Sequence, residues 1–376
     1  VWTDEMLDDI PTVDELKFTE DEWRTLNDNN ERDDIINWLI KTIRKNDIPF
    51  PQTVYDESQV AQSFKKLQDY DISKLIKRDE YGFKFDIDEK WDTTMGILWG
   101  ASNVGNVSSN YFHEKVRFNV NRLGRLRPND VWNRDDRLFL TMKSLWSLKF
   151  KSIGNSELKS MFRLGMYQAG QFKALTAKGM YDYFQAENIA DMSMGWGDRL
   201  AGFNASKHGR YYYGTDPNTL TYNNYHRQHD FYDTGKEIDI HCEPSEDLTK
   251  PPKHSIDISF TSPPYFNREQ YVDEDTQSFM RYVTIDSWLS DYMFRTIKQQ
   301  WNYIKSGGVY AINISNILNK GEWVNICDPI NEYLNTLDGS KYLGHMGMKI
   351  SKRPSIQLRK DVDCSLAEPI FVWQKE

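Results

Sequence analysis

Short stretches in which apolar and polar residues alternate recur through the second half of the chain, and this spacing is typical of β-strands. Stretches with apolar residues three or four positions apart, as in amphipathic helices, lie between them. Strands that alternate with helices predict an open α/β sheet whose strands run mostly parallel. The five predicted strands are residues 189–192, 211–216, 237–242, 256–261 and 309–314.

The end of the chain departs from this alternation. Residues 342–350 and 368–373 both have the strand pattern and are joined by a basic loop, so we expect a closing antiparallel hairpin. Before the strand 309–314, apolar residues from Trp288 to Ile304 follow helical spacing, and Gly307-Gly308 is predicted to end that helix.

The first half of the chain divides into two parts. Residues 1–50 are acidic and have helical apolar spacing at residues 35–43, which predicts a helical N-terminal segment that breaks at Pro49 and Pro51. Residues 51–160 form a second region that contains a basic stretch. The predicted α/β domain then covers residues 161–376.

The strand 256–261 runs directly into Ser262-Pro263-Pro264-Tyr265. Proline cannot donate to a strand ladder, so the strand ends here, at the edge where open α/β sheets hold their ligands. The Ser262 hydroxyl and the Pro263 carbonyl can accept hydrogen bonds from a planar amino group, and Tyr265 offers an aromatic face to a base. The simpler interpretation is an ordinary exit from a strand.

A glycine turn follows the strand 189–192. Gly195 and Gly197 stand between that strand and a helix, where a tight turn lets the backbone approach a nucleoside-bearing cofactor. Asp216 ends the next strand, 21 residues after Gly195, and is placed to accept hydrogen bonds from ribose hydroxyls. The alternative is a carboxylate that only ends a strand.

Two further segments can complete such a site. After the strand 237–242, Ser245, Glu246 or Asp247 could accept the exocyclic amine of adenine, and the sequence does not decide between them. Residues 267–284 are polar and aromatic, and such a segment either closes over a substrate or merely connects two elements at the surface.

Charge is distributed unevenly. The 56 acidic and 47 basic residues give a formal net charge of −9, yet residues 1–34 alone carry −10, and residues 115–163 carry +8. Arginines interleaved with aromatics suit phosphates and base stacking, although a solvated basic helix has the same composition. The candidate nucleic-acid contacts are Arg117, Arg122, Arg125, Arg127 and Arg134.

Other classes of protein are disfavoured. No run of eighteen apolar residues is present, and the three cysteines, Cys242, Cys327 and Cys364, are far apart. We therefore expect a cytoplasmic protein with reduced thiols, no membrane segment and no metal site.

Together, Asp191-x-x-x-Gly195-x-Gly197, Asp216 and Ser262-Pro263-Pro264-Tyr265 resemble the motifs of the S-adenosylmethionine-dependent DNA amino-methyltransferases, which make N4-methylcytosine or N6-methyladenine. The resemblance covers residues 167–375. It implies a Rossmann-like methyltransferase sheet, mostly parallel with a C-terminal antiparallel hairpin, preceded by a largely helical N-terminal extension. It also implies S-adenosylmethionine as the cofactor, and residues 161–376 as the catalytic domain.

The resemblance assigns roles to individual residues. Asp191, Met194, Gly195 and Gly197 would surround the methionine part of the cofactor, and Asp216 the ribose. Phe172 would pack against the methionine, although Lys173 departs from the proline expected after it. Ser245 or Glu246 would contact the adenine. The catalytic residues, acting on a base flipped out of its stack, would be Ser262, Pro263, Pro264 and Tyr265.

Serine rather than aspartate at position 262 is more common among the cytosine-N4 enzymes, so we prefer cytosine to adenine. The basic stretch would recognise the target. DNA is the expected partner, and a partner subunit or a restriction enzyme stays open, as does the oligomeric state. Two alternatives remain, an RNA amino-methyltransferase and a non-catalytic nucleic-acid-binding protein on the same fold. The missing third glycine and the Pro-Pro strand end disfavour a nicotinamide-dependent oxidoreductase.

Overall fold

The computed structural model describes residues 19, 21, 25, 32–78, 85–120, 126–147, 155–165, 169–267, 269–319, 321–350 and 367–376. The chain forms two compact units. The first comprises residues 1–54 and 117–170, and the second comprises residues 55–116 and 171–376. The chain leaves the first unit after residue 54 and returns to it at residue 117, whereas the boundaries predicted from sequence lie near residues 50 and 160.

The helices and strands are numbered here in chain order. The helices are α1 (Arg32–Lys45), α2 (Glu57–Asp69), α3 (Asn106–Arg117), α4 (Pro128–Trp132), α5 (Asp135–Met142), α6 (Ser144–Ser147), α7 (Asn155–Gly165), α8 (Ala174–Tyr183), α9 (Asp198–Ala205), α10 (Thr219–Tyr232), α11 (Ser278–Arg281), α12 (Ile285–Ser287), α13 (Arg295–Tyr303) and α14 (Cys327–Asn335). The strands are β1 (Ile76–Arg78), β2 (Thr94–Trp99), β3 (Asn188–Asp191), β4 (Tyr211–Thr215), β5 (Glu237–His241), β6 (Ile256–Thr261), β7 (Ile304–Asn313), β8 (Ile317–Asn319), β9 (Glu322–Val324), β10 (Ser340–Lys349) and β11 (Ala367–Lys375). Short 3₁₀ turns occur at Ile72–Lys74, Glu89–Trp91 and Ser245–Asp247.

The described part of the first unit is helical, as expected for an N-terminal extension. Helix α1 buries Ile36, Leu39 and Ile43 and exposes its acidic first turn. These side chains pack in one apolar cluster with Trp132 and Phe162. Burial of this stripe, more than helix propensity, holds so short a helix in place.

The second unit is built on a nine-stranded sheet of order β1-β2-β10-β11-β7-β6-β3-β4-β5. Strands β7, β6, β3, β4 and β5 are parallel, whereas β11 is antiparallel to both β7 and β10. The predicted fold class, a mostly parallel Rossmann-like sheet with a C-terminal antiparallel hairpin, is confirmed. Two apolar clusters line the sheet, and the buried aromatic chains of β4 alternate between them.

Strand order reverses between β3 and β6. From β3 the chain continues outward through β4 and β5, and it then returns to place β6 on the other side of β3. Loops leave the carboxyl ends of neighbouring strands in opposite directions at such a point and open a crevice between them. The glycine turn follows β3 and the Ser262-Pro263-Pro264-Tyr265 turn follows β6, so both lie at this crevice.

Two local predictions are wrong. Gly307-Gly308 does not end a helix, because α13 ends at Tyr303 and both glycines lie within β7. The preceding segment is also not one regular α-helix, since a π-helical stretch covers Trp288–Phe294. Residues 76–99, which had no assigned role, extend the sheet through β1 and β2, and β2 pairs with β10.

Candidate functional site

A pocket lies at the carboxyl ends of β3, β4, β5 and β6. It encloses about 580 Å³ of space, part of it open to solvent. The predicted site residues on its wall are Gly195, Asp216, Ser245, Glu246, Ser262 and Pro264. Four separate loops therefore meet at one cavity: the glycine turn, the loop of Asp216, the loop of Ser245 and Glu246, and the turn of residues 262–266, which we call the target turn.

The glycine turn is held to β4 by Asp216. The N–H of Gly195 donates to Oδ2 of Asp216 at 2.8 Å, and the hydroxyl of Tyr225 donates to the Gly195 carbonyl at 2.6 Å. Gly195 has φ +57°, a left-handed conformation that glycine adopts at little cost. Asp216 thus supports the turn and also faces the pocket.

Gly197 has a different task from Gly195. It has φ +70° and precedes α9, where a Cβ atom would clash with Oε1 of Gln228 and lie 2.8 Å from Nε2 of His113. Gln228 donates from Nε2 to the Gly197 carbonyl at 2.8 Å, and its Oε1 lies 2.8 Å from His113 Nε2. Gly197 therefore permits close packing behind the turn, and it is not part of the described pocket wall.

Three other predicted cofactor residues also lie behind the described wall. Asp191 is fully buried, and its Oδ2 accepts from Arg199 Nε at 2.8 Å and from the Tyr212 hydroxyl at 2.7 Å. Met194 is buried in the core and packs on Gly214. The ring of Phe172 lies 5.1 Å from the Arg199 guanidinium. These residues position the turn, and the structure gives them no place on the wall.

Asp216 is one of the two acidic residues on the described pocket wall. Its Oδ1 accepts from the N–H of Asn218 at 3.0 Å. Burial raises the pKa of Asp216 to about 6, while the backbone donors Gly195 and Asn218 oppose that rise. The carboxylate is therefore ionised at neutral pH and becomes protonated under mildly acidic conditions.

The 3₁₀ turn after β5 forms another wall of the pocket. Ser245 and Glu246 are both buried and line the pocket, whereas Asp247 is 40% exposed and lies outside the described wall. Oε1 of Glu246 accepts from Arg281 at 2.7 Å and from the Tyr282 hydroxyl at 2.8 Å. Burial raises the pKa of Glu246, while these donors oppose the rise.

The target turn presents Ser262 and Pro264 to the pocket, with Pro263 buried behind them. Phe266 ends the turn at φ +51°, an unfavourable conformation for a bulky residue, and its N–H donates to the Pro264 carbonyl at 3.0 Å. Such strain, of about 1–3 kcal/mol, persists only where surrounding packing imposes it. The buried Phe266 ring packs edge-on against Trp288, with 6.3 Å between ring centroids.

Sequence reasoning missed Asn313, a buried residue at the end of β7. Its Nδ2 donates to the Pro369 carbonyl at 3.0 Å, which turns Oδ1 toward the Ser262 hydroxyl, 3.4 Å away. The Tyr265 hydroxyl lies 3.5 Å from the Asn313 carbonyl. Asn313 thus contacts two members of the target turn, one through its side chain and one through its backbone carbonyl, and no local motif marked it.

Several wall residues were also not assigned from sequence. Tyr292 comes from the π-helical stretch, and its hydroxyl lies 3.3 Å from the Ser193 hydroxyl. Tyr271 and Gln277 belong to the segment 267–284, whose described part contributes to the wall. Trp196, inside the glycine turn, packs against Tyr271 with 5.7 Å between ring centroids. Its position between Gly195 and Gly197 is the sequence feature that could have identified Trp196 as a wall residue.

The predicted nucleic-acid arginines differ in accessibility. Arg117 is 6% exposed and donates to the Ala169 carbonyl at 3.2 Å, so its burial argues against a phosphate contact. The side chains of Arg127 and Arg134 are 38% and 49% exposed, and they pair with Asp130 at 3.7 Å and Asp136 at 3.2 Å. Arg122 and Arg125 lie outside the described residues.

Among the described residues, no helix has the length and apolar character needed to cross a membrane.

No family model and no curated protein matches the chain. Solved structures with a similar fold include an rRNA methylase from Streptococcus thermophilus (13% identity, covering 55% of this chain and 99% of that chain, TM-score 0.34). A second is a SAM-dependent O-methyltransferase from Thermotoga maritima (12% identity, covering 57% of this chain and 70% of that chain, TM-score 0.35). A third is TrmN from Thermus thermophilus (11% identity, covering 55% of this chain and 50% of that chain, TM-score 0.36). So distant a likeness carries no argument about reaction or substrate.

Proposed function

We propose that the protein transfers a methyl group from S-adenosylmethionine to the exocyclic amino group of a DNA base. The observation that supports this most is that Ser262 and Pro264 share one pocket with Asp216 and Glu246. An amine held at the target turn would then lie beside a nucleoside cofactor held by the two carboxylates. Proximity of this kind accounts for much of the rate enhancement in group transfer.

The pocket suits the cofactor through its acceptors. Asp216, at the end of β4, would accept hydrogen bonds from the ribose hydroxyls. The Arg281 and Tyr282 donors both contact Oε1 of Glu246, and we assign Oε2 to the exocyclic amine of adenine. The left-handed Gly195 lets the backbone approach the remainder of the cofactor without a side chain intervening.

The reaction that we propose is direct displacement. When bound, S-adenosylmethionine supplies a methyl group on a positively charged sulfur that leaves as a neutral thioether. The chain's task is to hold the amine, whose lone pair is delocalised into the base ring. Ser262 Oγ and the Pro263 carbonyl would accept hydrogen bonds from the two N–H groups of the amine, which increases electron density on its nitrogen. The proton that the product loses would pass to solvent from the Ser262 side.

Asn313 orients the acceptor in this arrangement. Because Asn313 Oδ1 faces Ser262 Oγ, the serine hydrogen points to the amide and the oxygen lone pairs point to the amine. Tyr265 would stack on the flipped base. Burial raises the pKa of its phenol well above the ordinary value, so the ring stays neutral.

The base and the nucleic acid belong to the same proposal. Ser262 at the first position of the turn favours cytosine N4 over adenine N6, and accessible arginines of the first unit, Arg127 and Arg134, would contact DNA phosphates. Arg122 and Arg125 keep the same expectation from sequence alone.

Binding measurements separate this proposal from nicotinamide chemistry. Calorimetric titration should show S-adenosylmethionine and S-adenosylhomocysteine binding to one site, and the Glu246→Ala variant should weaken both by about tenfold through loss of the amine acceptor. Binding of a nicotinamide dinucleotide in their place would contradict the proposal.

A further inference from the structure

Gln277 is a buried donor on the pocket wall. Its side chain is 4% exposed, and its Nε2 has no hydrogen-bond partner among the residues that the structure describes. Buried amide groups are nearly always hydrogen-bonded, because leaving one unpaired costs the desolvation of that group. An unpaired amide on the wall of a ligand pocket indicates a partner supplied by the ligand.

The segment around Gln277 is fixed at both ends to loops of the pocket. Upstream, Glu274 accepts from the N–H of Thr219 at 3.4 Å, next to the loop that carries Asp216. Downstream, Arg281 donates to Glu246 at 2.7 Å. Gln277 lies between these two attachments in the chain, and its carbonyl accepts from the N–H of Met280 at 3.0 Å as α11 begins. The segment is thus held against the loop of Asp216 and the turn of Glu246, and Gln277 lies on the wall of the pocket that both of them line.

We propose that the Gln277 side-chain amide donates a hydrogen bond to the adenosine half of the bound cofactor, at a ribose oxygen or a ring nitrogen. This inference rests on the proposed function and deepens it. The donor complements the two acceptors already assigned, Asp216 for hydroxyl hydrogens and Glu246 for the exocyclic amine. Gln277 follows the target turn in the same β6–α11 connection, so one segment contacts both the cofactor and the base.

A second glutamine offers a matched control. Gln300, on α13, is fully buried, and its Nε2 is likewise without a partner among the described residues. Its Oε1 accepts from Ser259 at 3.4 Å, and it is not part of the described pocket wall. The two side chains differ in their relation to the pocket, while burial and unpaired nitrogen are common to both.

Three variants test the inference by calorimetric titration with S-adenosylmethionine, S-adenosylhomocysteine and adenosine. Gln277→Met keeps the side-chain volume and removes the donor, so it should weaken binding of all three ligands by about three- to tenfold. Gln300→Met should leave the three dissociation constants within about twofold of wild type. Gln277→Glu replaces the donor with an acceptor and should weaken binding at least as much as Gln277→Met. Melting temperatures without ligand show that each variant is folded.

The outcomes are distinguishable. If wild type binds adenosine and loses affinity in Gln277→Met, but does not bind S-adenosylmethionine, the Gln277 assignment holds and the proposed methyl transfer fails. If wild type binds S-adenosylmethionine and Gln277→Met binds it equally well, the Gln277 assignment is overturned alone. Wild-type affinity in Gln277→Glu overturns the donor role. Binding of none of the three ligands to wild type overturns both proposals.

Discussion

Asp216 combines two tasks at one carboxylate, because it holds the glycine turn through Gly195 and faces the ligand pocket. Its pKa of about 6 makes the second task depend on pH. Above pH 6 the group is ionised and accepts hydrogen bonds, whereas below pH 6 one oxygen carries a proton. Affinity for S-adenosylmethionine should therefore rise as the pH increases from 5 to 7, by about tenfold, since only about a tenth of the sites are ionised at pH 5.

Asp216→Asn is the control for this pH dependence. The amide can accept at one atom only, so binding should be weaker at all pH values and should change less between pH 5 and 7. Glu246, whose pKa is also raised, contributes to any remaining slope in the same direction. Titration calorimetry at several pH values measures both. A variant with wild-type affinity, or an affinity of the native protein that falls as pH rises, would contradict the ribose assignment.

Tyr265 is assigned to the base and not to the cofactor. Tyr265→Ala removes the stacking face and should lower methyl transfer by about a hundredfold, because a displaced base no longer meets the methyl group. Tyr265→Phe keeps the ring and removes only the hydroxyl, which lies 3.5 Å from the Asn313 carbonyl, so transfer should change by less than about threefold.

Cofactor affinity distinguishes this assignment of Tyr265 from a structural role. Tyr265 is not part of the described pocket wall, so both variants should bind S-adenosylmethionine as wild type does. A loss of cofactor binding in Tyr265→Ala would show that Tyr265 is wrongly assigned to the base.

Individual site residues were predictable where a motif fixes the backbone. Gly195, Asp216 and Ser262 line the pocket as expected, because a strand end determines where each lies. Met194 and Phe172 were assigned by position in a motif, yet packing turns them toward the core. Asn313 and Gln277 were missed because their roles depend on neighbours more than thirty residues away or on a ligand.

At the scale of elements, the two glycines of the turn between β3 and α9 have different roles, since Gly197 mainly affects stability and Gly195 mainly affects binding. Gly197→Ala adds a methyl group against Gln228 and His113 at positive φ, and it should destabilise the fold by about 2 kcal/mol or more. At Gly195 a methyl group meets only the Ser193 carbonyl at 3.8 Å, so Gly195→Ala should cost about 1 kcal/mol of backbone strain.

Cofactor affinity should rank the two glycine variants in the opposite order from stability. Because Gly195 lines the pocket, its added methyl group should weaken cofactor binding more than that of Gly197 does, relative to each variant's stability. Thermal melts with and without S-adenosylmethionine measure both effects. Equal melting temperatures for the two variants would show that the packing behind Gly197 is not as close as the structure has it.

The central strands were predicted to within a few residues because alternation of apolar positions specifies a strand locally. Strand β3 covers Asn188–Asp191 where residues 189–192 were expected. Strands β1 and β2 were missed because they join the sheet through β10, about 250 residues further along the chain. The π-helical stretch at Trp288–Phe294 has the same apolar spacing as an α-helix, so a pattern cannot distinguish them.

At the scale of the whole molecule, the uneven charge gives a test of the DNA surface. Arg127→Gln with Arg134→Gln removes two accessible cations whose exposed ion pairs contribute little to stability. If each contacts a phosphate, DNA affinity should fall, and the slope of log affinity against log salt should become shallower by about 0.9 per contact. Fluorescence anisotropy over a salt series measures this. Lys65→Gln, which removes an exposed cation of the second unit, is the control, and an unchanged slope in the arginine variant would place the DNA surface elsewhere.

The central claim is transfer of a methyl group to a base amine. Its most direct test is to incubate the protein with methyl-labelled S-adenosylmethionine and unmodified DNA, digest the DNA to nucleosides and identify the labelled species. We expect label on N4-methylcytosine. The Ser262→Ala variant should give at most about a tenth of the wild-type amount of label. Label on N6-methyladenine would correct the base but keep the reaction. Label on RNA alone, or on no nucleic acid while the cofactor binds, would contradict the account.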